Sequence, residues 1–154
     1  MDWMLFVIFF AACCAAASTG AMFSPDEWYR SITKPNWTPP DWVFPVTWTV
    51  LYIAIAVAAA RVAPMEGSAY AMALWALQIA LNTLWSPIFF GLHNIKAAAF
   101  VVVALWVAVF ASMIALWSVD TIAGLLFVPY LIWATIAAAL NLSIWKMNPE
   151  PVGA

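Results

Sequence analysis

The segment from Lys34 to Trp48 reads KPNWTPPDWVFPVTW and holds four prolines and three tryptophans within fifteen residues. Proline lacks a backbone N–H and fixes φ, so we expect extended chain around the Pro39-Pro40 pair. Tryptophan combines a broad apolar face with one N–H donor, which suits a membrane interface or the wall of a flat-ligand site. The segment lies where a polar stretch meets a long apolar run, and it therefore predicts a loop leading into a membrane helix.

The composition is that of a membrane protein. Of the 154 residues, 68% are hydrophobic and 8% are charged, whereas a soluble domain is about half apolar and about a quarter charged. The net charge of −2 provides no basic surface for nucleic acid, so no nucleic-acid partner is expected. Cys13 and Cys14 are adjacent within an apolar run, and we interpret them as small packing residues.

Five apolar runs lie between the charged residues, each close to the roughly 20 helical residues that cross hydrocarbon. None of the five basic and seven acidic side chains lies in the middle of a run, where a charge costs about 2.5–3.5 kcal/mol. The first run lacks the basic start of a signal peptide, so we interpret it as a retained helix. The sequence predicts an all-α membrane protein, a single domain over 1–154 with five transmembrane helices at about residues 3–23, 42–62, 69–90, 95–117 and 122–145.

Residues 24–41 form the one long connection, which we interpret as a lid loop rich in aromatic residues and proline. Its first residues, Ser-Pro-Asp-Glu, have the form of a capping box with Ser24 as the N-cap and Pro25 at the first helical position. A short interfacial helix carrying Trp28 and Tyr29 is predicted to follow. The stretch 34–40 is then expected to run extended.

The basic residues indicate the orientation. Four of them share the side of the lid loop, and Arg61 alone lies on the other side. Cytoplasmic loops carry the excess of Lys and Arg. The lid loop and the C-terminus are therefore predicted to be cytoplasmic and the N-terminus to lie outside, the four residues being Arg30, Lys34, Lys96 and Lys146.

The third span has two opposed faces at 100° per residue. One face carries aromatic and amide side chains: Trp75, Gln78, Asn82, Trp85 and Phe89. The opposite face carries small residues that let helices approach closely in lipid. This small-residue face is predicted to contact another helix, either within the bundle or across a homodimer interface. The residues of the face are Ala69, Ala73, Ala76 and Ala80.

The second and fifth spans each carry an aromatic stripe. Phe44, Trp48 and Tyr52 share one face of the second span, and Tyr130, Trp133, Ala137 and Asn141 share one face of the fifth. Such stripes are typical of bundle packing. Amides in a membrane must also find hydrogen-bond partners, so these faces predict either mutual bonding between the amides or a ligand cavity between the three spans.

The sequence lacks the residues that several classes of membrane protein need for their function. No lysine lies within a span to form a Schiff base with a chromophore, and no acid or arginine lies there to relay protons. His93 is the lone histidine and has no neighbouring cysteine or carboxylate in the sequence. We therefore predict no metal site, and an axial ligand to an iron porphyrin is the alternative role for His93.

Three motifs resemble the translocator protein family, whose members include the bacterial tryptophan-rich sensory proteins and the peripheral-type benzodiazepine receptors. The first signature is matched by KPxWxPP from Lys34 and FPxxWTxxY from Phe44. The third-span motif is matched by QxxxNxxWSPxFFG from Gln78, and the fifth-span motif by PYLxWxxxAxxLN from Pro129. The resemblance spans nearly the whole chain.

The resemblance implies a five-helix bundle, commonly dimeric, with a ligand cavity beneath the first loop. Family ligands are porphyrins such as protoporphyrin IX and haem, sterols, and isoquinoline or benzodiazepine drugs. Porphyrin or haem would thus be a ligand, and no cofactor is required. With the amides of the third and fifth spans added, the predicted ligand-binding residues are Trp28, Tyr29, Trp37, Phe44, Trp48, Tyr52, Gln78, Asn82, Trp85, Phe89, Trp133, Ala137 and Asn141.

The favoured function is a membrane receptor or sensor for tetrapyrroles, with Arg30 and Lys34 available to meet acidic side chains of the ligand. One alternative is an enzyme that degrades porphyrin with light and oxygen, for which the resemblance implies Trp48 and Trp133 as candidate residues. A transporter of porphyrin or sterol and an accessory subunit remain further alternatives. The last span lacks the tyrosine of the animal sterol motif before Lys146, which disfavours tight sterol binding.

Overall fold

The computed structural model describes residues 1–149, within which all regular structure is helical. Five helices are long and apolar enough to cross a membrane, so the predicted fold class is confirmed. Residues 150–154 of the predicted domain lie outside the described residues. The elements are α1 Trp3–Met22, α2 Glu27–Ser31, α3 Val43–Val62, α4 Ala69–Ser86 continued by a π-helical turn Pro87–Gly91, α5 Ile95–Val119 and α6 Thr121–Met147.

Short polar side chains between the apolar runs set the helix starts. The Asp2 carboxylate accepts hydrogen bonds from the first backbone N–H groups of α1. Asn94 does the same for α5, and Asp120 caps α6 while separating it from α5 by a single residue. Such caps satisfy N–H groups that have no partner inside the helix. Polar residues that delimit spans in the sequence thus also cap three of the five spanning helices, whereas α3 and α4 begin without a side-chain cap.

The five spans form a closed ring in the order α1, α3, α6, α5 and α4. Short connections predict that consecutive spans are antiparallel neighbours, and this holds for α4 with α5 and for α5 with α6. It is wrong along most of α3 and α4, because α1 packs against both of them. Trp75 joins these three helices: its ring lies 4.9 Å from that of Phe9, and its indole N–H donates to the Ile55 carbonyl at 3.1 Å.

The lid loop differs from the prediction in two details. Asp26, not Ser24, is the N-cap of α2 and accepts from the Tyr29 N–H at 2.9 Å. Either residue type can cap a helix, but Asp26 is also held by His93 at 3.2 Å. The stretch 34–40 is extended only in part, since the Thr38 N–H bonds to the Pro35 carbonyl at 3.1 Å and closes a turn.

The π-helical turn ends the fourth helix beneath the lid loop. Pro87 has no N–H to continue the α-helical ladder, and its carbonyl accepts from the Leu92 N–H at 2.9 Å. Gly91 lies against α1, where a Cβ would come within 2.9 Å of the Phe23 ring. The turn buries Phe89 at 1% exposure and thereby forms the floor on which the lid loop rests.

The opposite end of the ring is fastened by an ion pair. Arg61 at the end of α3 lies 2.5 Å from the Asp120 carboxylate between α5 and α6. The hydrogen bond from Arg61 is the main reason that the pKa of Asp120 lies below its ordinary value.

The small-residue face of the third span lies on the outside of the ring. All four alanines of this face, Ala69, Ala73, Ala76 and Ala80, are exposed in the single chain. The face therefore takes no part in packing within the bundle. Its assignment to a homodimer stays a prediction.

Candidate ligand cavity beneath the first loop

A cavity of about 420 Å³ occupies the half of the ring next to the lid loop, and all five spans contribute to its wall. This volume lies within the roughly 300–1,000 Å³ of small-molecule sites. The lining residues Ala17 and Gly20 on α1, and Pro45 and Thr49 on α3, are exposed. The cavity therefore opens between α1 and α3 towards the lipid as well as beneath the loop.

Aromatic side chains form most of the wall. Trp48 stacks on Tyr52 with ring centroids 5.4 Å apart, and Phe44 meets the Trp133 ring edge-on at 5.6 Å. Trp85 completes the wall from α4. Rings that pack against one another at these distances hold their orientations, so the cavity presents fixed flat faces to a ligand.

A hydrogen-bond network lies behind this wall. The Tyr52 hydroxyl donates to Asn82 at 2.7 Å, and the Asn82 amide donates to the Tyr130 hydroxyl at 3.0 Å. Tyr130 in turn donates to the Gln78 carbonyl oxygen at 2.7 Å. The network satisfies polar groups that would be costly to leave unpaired in a membrane. Asn82 and Tyr52 line the cavity, whereas Gln78 is fully buried behind them.

Asn141 positions Trp85. Its side-chain oxygen accepts from the Trp85 indole N–H at 2.9 Å, and its NH₂ group donates to the Ile95 carbonyl at 3.0 Å. Asn141 lines a smaller neighbouring cavity of about 20 Å³ together with Tyr29 and Phe89. Its contribution to the main cavity is thus made through the tryptophan.

Two buried donors among these polar groups have no hydrogen-bond partner within residues 1–149: the side-chain NH₂ of Gln78 and the indole N–H of Trp133. Trp133 lines the cavity and is 8% exposed. A buried donor without a partner costs about 1–3 kcal/mol. The Trp133 N–H is itself shielded from the cavity, so a ligand regains that free energy only if the indole shifts to present this N–H.

The lid loop packs on the end of α4. The Tyr29 ring contacts Phe90 at 5.4 Å, and Trp28 stacks on His93 at 4.3 Å. Burial, and then the negative charge of Asp41, raises the pKa of Tyr29 to about 12. Tyr29 is therefore neutral at physiological pH and acts as an apolar contact between the loop and the helix end.

The basic residues expected to meet an acidic ligand lie elsewhere. The Lys34 ammonium donates to the carbonyls of Tyr29 at 2.5 Å and Ile32 at 3.1 Å, and it lies over the Tyr29 ring. Arg30 is exposed on α2. Neither side chain lines the cavity. Lys34 thus holds the loop together in this structure.

The predicted ligand-binding residues fall into four groups. Those that line the main cavity are Phe44, Trp48, Tyr52, Asn82, Trp85, Trp133 and Ala137. Tyr29, Phe89 and Asn141 line the smaller cavity, while Trp28 and Gln78 lie behind these surfaces. Trp37 is 48% exposed in the turn after Pro35 and lines neither cavity.

No motif or residue pattern predicted the contribution of α1 to the cavity. Five of its residues line the cavity, and all are small: Ala16, Ala17, Thr19, Gly20 and Ala21. Their small size leaves room for a ligand against the aromatic wall. In a chain rich in alanine, such a run does not stand out from ordinary span residues.

Within the described residues, no group of three or more His, Cys, Asp or Glu side chains could hold a metal ion. His93 is held by Asp26 and Trp28 at the loop.

The fold and cavity match the arrangement that the motifs imply, and residues 6–146 match the TspO/MBR family. The chain belongs to the TspO/MBR family. It is similar to Protein CrtK of Rhodobacter capsulatus, with 52% identity over 153 residues that cover 97% of this chain and 96% of that protein. With five apolar spans, this TspO/MBR protein is an integral, multi-pass membrane protein.

Two further relatives carry names that bear on function. The tryptophan-rich sensory protein of Cereibacter sphaeroides is 53% identical over 148 residues, covering 96% of this chain and 94% of that protein. The translocator protein of Homo sapiens is 32% identical over 127 residues, covering 79% of this chain and 75% of that protein. The resemblance inferred from the three motifs is confirmed.

Proposed function

We propose that this TspO/MBR protein is a membrane receptor or sensor that binds a tetrapyrrole, such as protoporphyrin IX or haem, beneath its first loop. The observation that carries the proposal is a cavity walled by Trp48, Trp85 and Trp133, beside which the buried Trp133 indole N–H has no partner within the described chain. A flat apolar ring with peripheral acceptors matches both features. The name of the tryptophan-rich sensory protein supports a sensing role.

The energetics are consistent with micromolar binding. Aromatic contacts contribute about 0.5–1.5 kcal/mol each beyond area burial, and three tryptophans face the cavity. Apolar surface adds about 25 cal/mol per Å² buried. Micromolar affinity corresponds to about 8 kcal/mol. Aromatic contacts and apolar burial on both faces of a macrocycle reach this value after the loss of translational and rotational freedom on binding is subtracted.

The size of the cavity favours particular ligands. About 420 Å³ is typical of sites for drug-sized molecules, so isoquinoline or benzodiazepine compounds are further candidates. A tetrapyrrole would place its ring between the tryptophans and its acidic side chains at the mouth, where Ser24 can donate a hydrogen bond and the Asp41 carboxylate opposes them. The opening between α1 and α3 gives a ligand dissolved in lipid a route to the same site. Sterols have less support, because the last span lacks the tyrosine of the sterol motif.

Porphyrin breakdown with light and oxygen is the second candidate function. It is favoured by the contiguous rings of Trp48, Tyr52 and Tyr130, with centroid separations of 5.4 Å and 5.9 Å from Trp48. Side chains of this type can be oxidised by an excited porphyrin. No comparable observation within residues 1–149 favours transport of porphyrin or sterol.

We also propose that two copies associate through the exposed alanine face of α4, which the bundle itself leaves uncovered. Small residues at such a face allow the close backbone contact that drives association in lipid. The distribution of lysine and arginine supports a cytoplasmic lid loop and C-terminus and an external N-terminus.

The test is a titration of purified protein in detergent with protoporphyrin IX, following tryptophan fluorescence. Saturable quenching is expected, and Trp133→Phe should weaken binding about threefold to tenfold, which corresponds to one lost hydrogen bond. Trp3→Phe is the control, because Trp3 is 70% exposed at the start of α1. Quenching that does not saturate would refute the proposal. Decay of the porphyrin spectrum only under light and oxygen would add the second candidate.

A further inference from the structure

Asp41 is the one charged side chain on the wall of the main cavity, within the part of the chain that the structure describes. The other lining residues are apolar, aromatic or neutral polar. Asp41 is exposed, lies just before α3, and belongs to the edge of the cavity formed by the loop. A carboxylate at this position faces whatever part of a ligand lies at the mouth.

No basic side chain of residues 1–149 forms an ion pair with Asp41. Lys34 is engaged with the backbone carbonyls of Tyr29 and Ile32, and Arg30 does not line the cavity. Asp26 and Glu27 add further acidic groups to the same loop, of which Asp26 is bonded to His93. Asp41 therefore faces the mouth of the cavity without a cationic side chain bound to it.

We propose that Asp41 selects ligands by the charge of the groups at the mouth, favouring flat aromatic molecules with neutral or cationic ends over those with carboxylates. This inference rests on the proposed function, since it requires a flat ligand in the cavity. It assigns to Asp41 a specificity role that is separate from the stacking and hydrogen bonding of the tryptophans. A dicarboxylate porphyrin would bind against this charge, whereas an ammonium group would be attracted to it.

The size of the effect follows from the exposure of Asp41. An exposed ion pair contributes little because water and salt screen it. We therefore expect a change in affinity of about twofold to fivefold for removal of the Asp41 charge. The change should shrink as the salt concentration rises.

The test uses three ligands that share one macrocycle: protoporphyrin IX, its dimethyl ester, and its bis(aminoethyl) amide. Their end groups are anionic, neutral and cationic. Affinities are measured by tryptophan quenching with the full chain in nanodiscs of phosphatidylcholine, at low salt. The wild type is expected to bind the amine and the ester more tightly than the free acid.

In Asp41→Asn, affinity for the free acid should rise about twofold to fivefold, affinity for the amine should fall, and affinity for the ester should not change. Asp41→Lys should strengthen binding of the acid further. The matched control is Glu27→Gln, which removes one negative charge from the same loop at a position outside the cavity wall and should leave the wild-type order intact.

The outcomes separate the two claims. Saturable binding of all three ligands, with an order that Asp41→Asn and Asp41→Lys leave unchanged, would overturn charge selection and leave the proposed function standing. Equal shifts in Asp41→Asn and Glu27→Gln would also overturn it, because the effect would then belong to the whole loop. Failure of all three ligands to bind the wild type would overturn the proposed function and this inference together.

Discussion

The indole N–H of Trp85 donates to the side-chain oxygen of Asn141 at 2.9 Å, which ties the end of α4 to the end of α6. The Asn141 side chain also donates to the Ile95 carbonyl of α5 at 3.0 Å. Contacts among α4, α5 and α6 therefore fix the orientation of the Trp85 ring. That tryptophan is part of the cavity wall. Asn141, which belongs to the fifth-span motif, thus affects the cavity by positioning Trp85.

Replacing Asn141 with leucine should therefore affect both stability and binding. The change leaves the Trp85 N–H without a partner and removes the second hydrogen bond to the Ile95 carbonyl, at a cost of about 1–3 kcal/mol. Thermal unfolding in detergent should shift down by several degrees, and protoporphyrin IX should bind about threefold to tenfold more weakly. Leu142→Ala, on the lipid side of α6, is the control. Unchanged affinity in a folded Asn141→Leu protein would contradict the positioning role.

The network of Tyr52, Asn82 and Tyr130 predicts an order of effects. Asn82→Leu removes the centre and leaves both hydroxyls short of a partner, whereas Tyr52→Phe removes only one terminal bond. Hydrogen bonds between membrane helices average about 0.6 kcal/mol, so Tyr52→Phe should be mild and Asn82→Leu at least twice as costly. Thermal unfolding of both variants and of their double mutant measures the coupling. Equal or fully additive losses would show that the three groups do not act together.

The ion pair of Arg61 and Asp120 predicts an acid-sensitive stability. The pKa of Asp120 is lowered in the folded chain, chiefly by the hydrogen bond from Arg61. A lowered pKa contributes stability above the unfolded value of about 4 and loses it as the pH falls through the folded value. The melting temperature should therefore fall when the pH is lowered below about 4. In Asp120→Asn, which retains the helix cap, this fall in melting temperature should be smaller.

Glu66→Gln is the control for this pH dependence, because Glu66 lies exposed between α3 and α4 and forms no ion pair with the described residues. If Asp120→Asn and the wild type lost stability in parallel from pH 7 to pH 3, the ion pair would not be the source.

Gly124 permits the close joint between α5 and α6. A Cβ at this position would lie 2.8 Å from the Trp117 Cα and 2.7 Å from its Cβ. Gly124→Ala should therefore destabilise the protein by about 1–3 kcal/mol, as overpacking does. Gly20→Ala is a matched change, since its Cβ would meet only the Ser86 hydroxyl at 3.9 Å, and it should be neutral or stabilising. Equal melting temperatures for the two variants would contradict this reading of the joint.

The five spans were predictable because hydrocarbon thickness fixes helix length and because the charged residues mark the boundaries. The helix order was less accessible: loop length indicates which helices are antiparallel, but it does not show that α1 packs between α3 and α4. The N-cap of α2 was assigned to Ser24 because the local pattern allows both residues. A tertiary contact with His93, invisible in the sequence, accompanies Asp26.

The cavity was predictable where its residues are chemically distinctive. Tryptophan and amide side chains on three spans led to seven residues of its wall, including Trp48, Asn82 and Trp133. Gln78 and Asn82 share one face of α4, but Gln78 is buried and does not line the cavity. Residue spacing predicts which face of a helix a side chain lies on, but not how far that side chain lies from the cavity. The contribution of the α1 residues to the cavity was not predicted. Alanine and glycine have no distinctive side-chain chemistry, so a position where their small size leaves room for a ligand cannot be recognised in the sequence.

The most direct test of the central claim is an NMR titration of indole N–H signals from ¹⁵N-tryptophan-labelled protein with protoporphyrin IX. A porphyrin ring stacked in the cavity should shift the signals of Trp48, Trp85 and Trp133 strongly and saturably. The exposed Trp3 and Trp42, at 70% and 67% exposure, should keep their positions. Shifts confined to Trp3 and Trp42, with the three cavity signals unmoved at saturation, would show that the porphyrin binds outside the cavity and would contradict the proposed function.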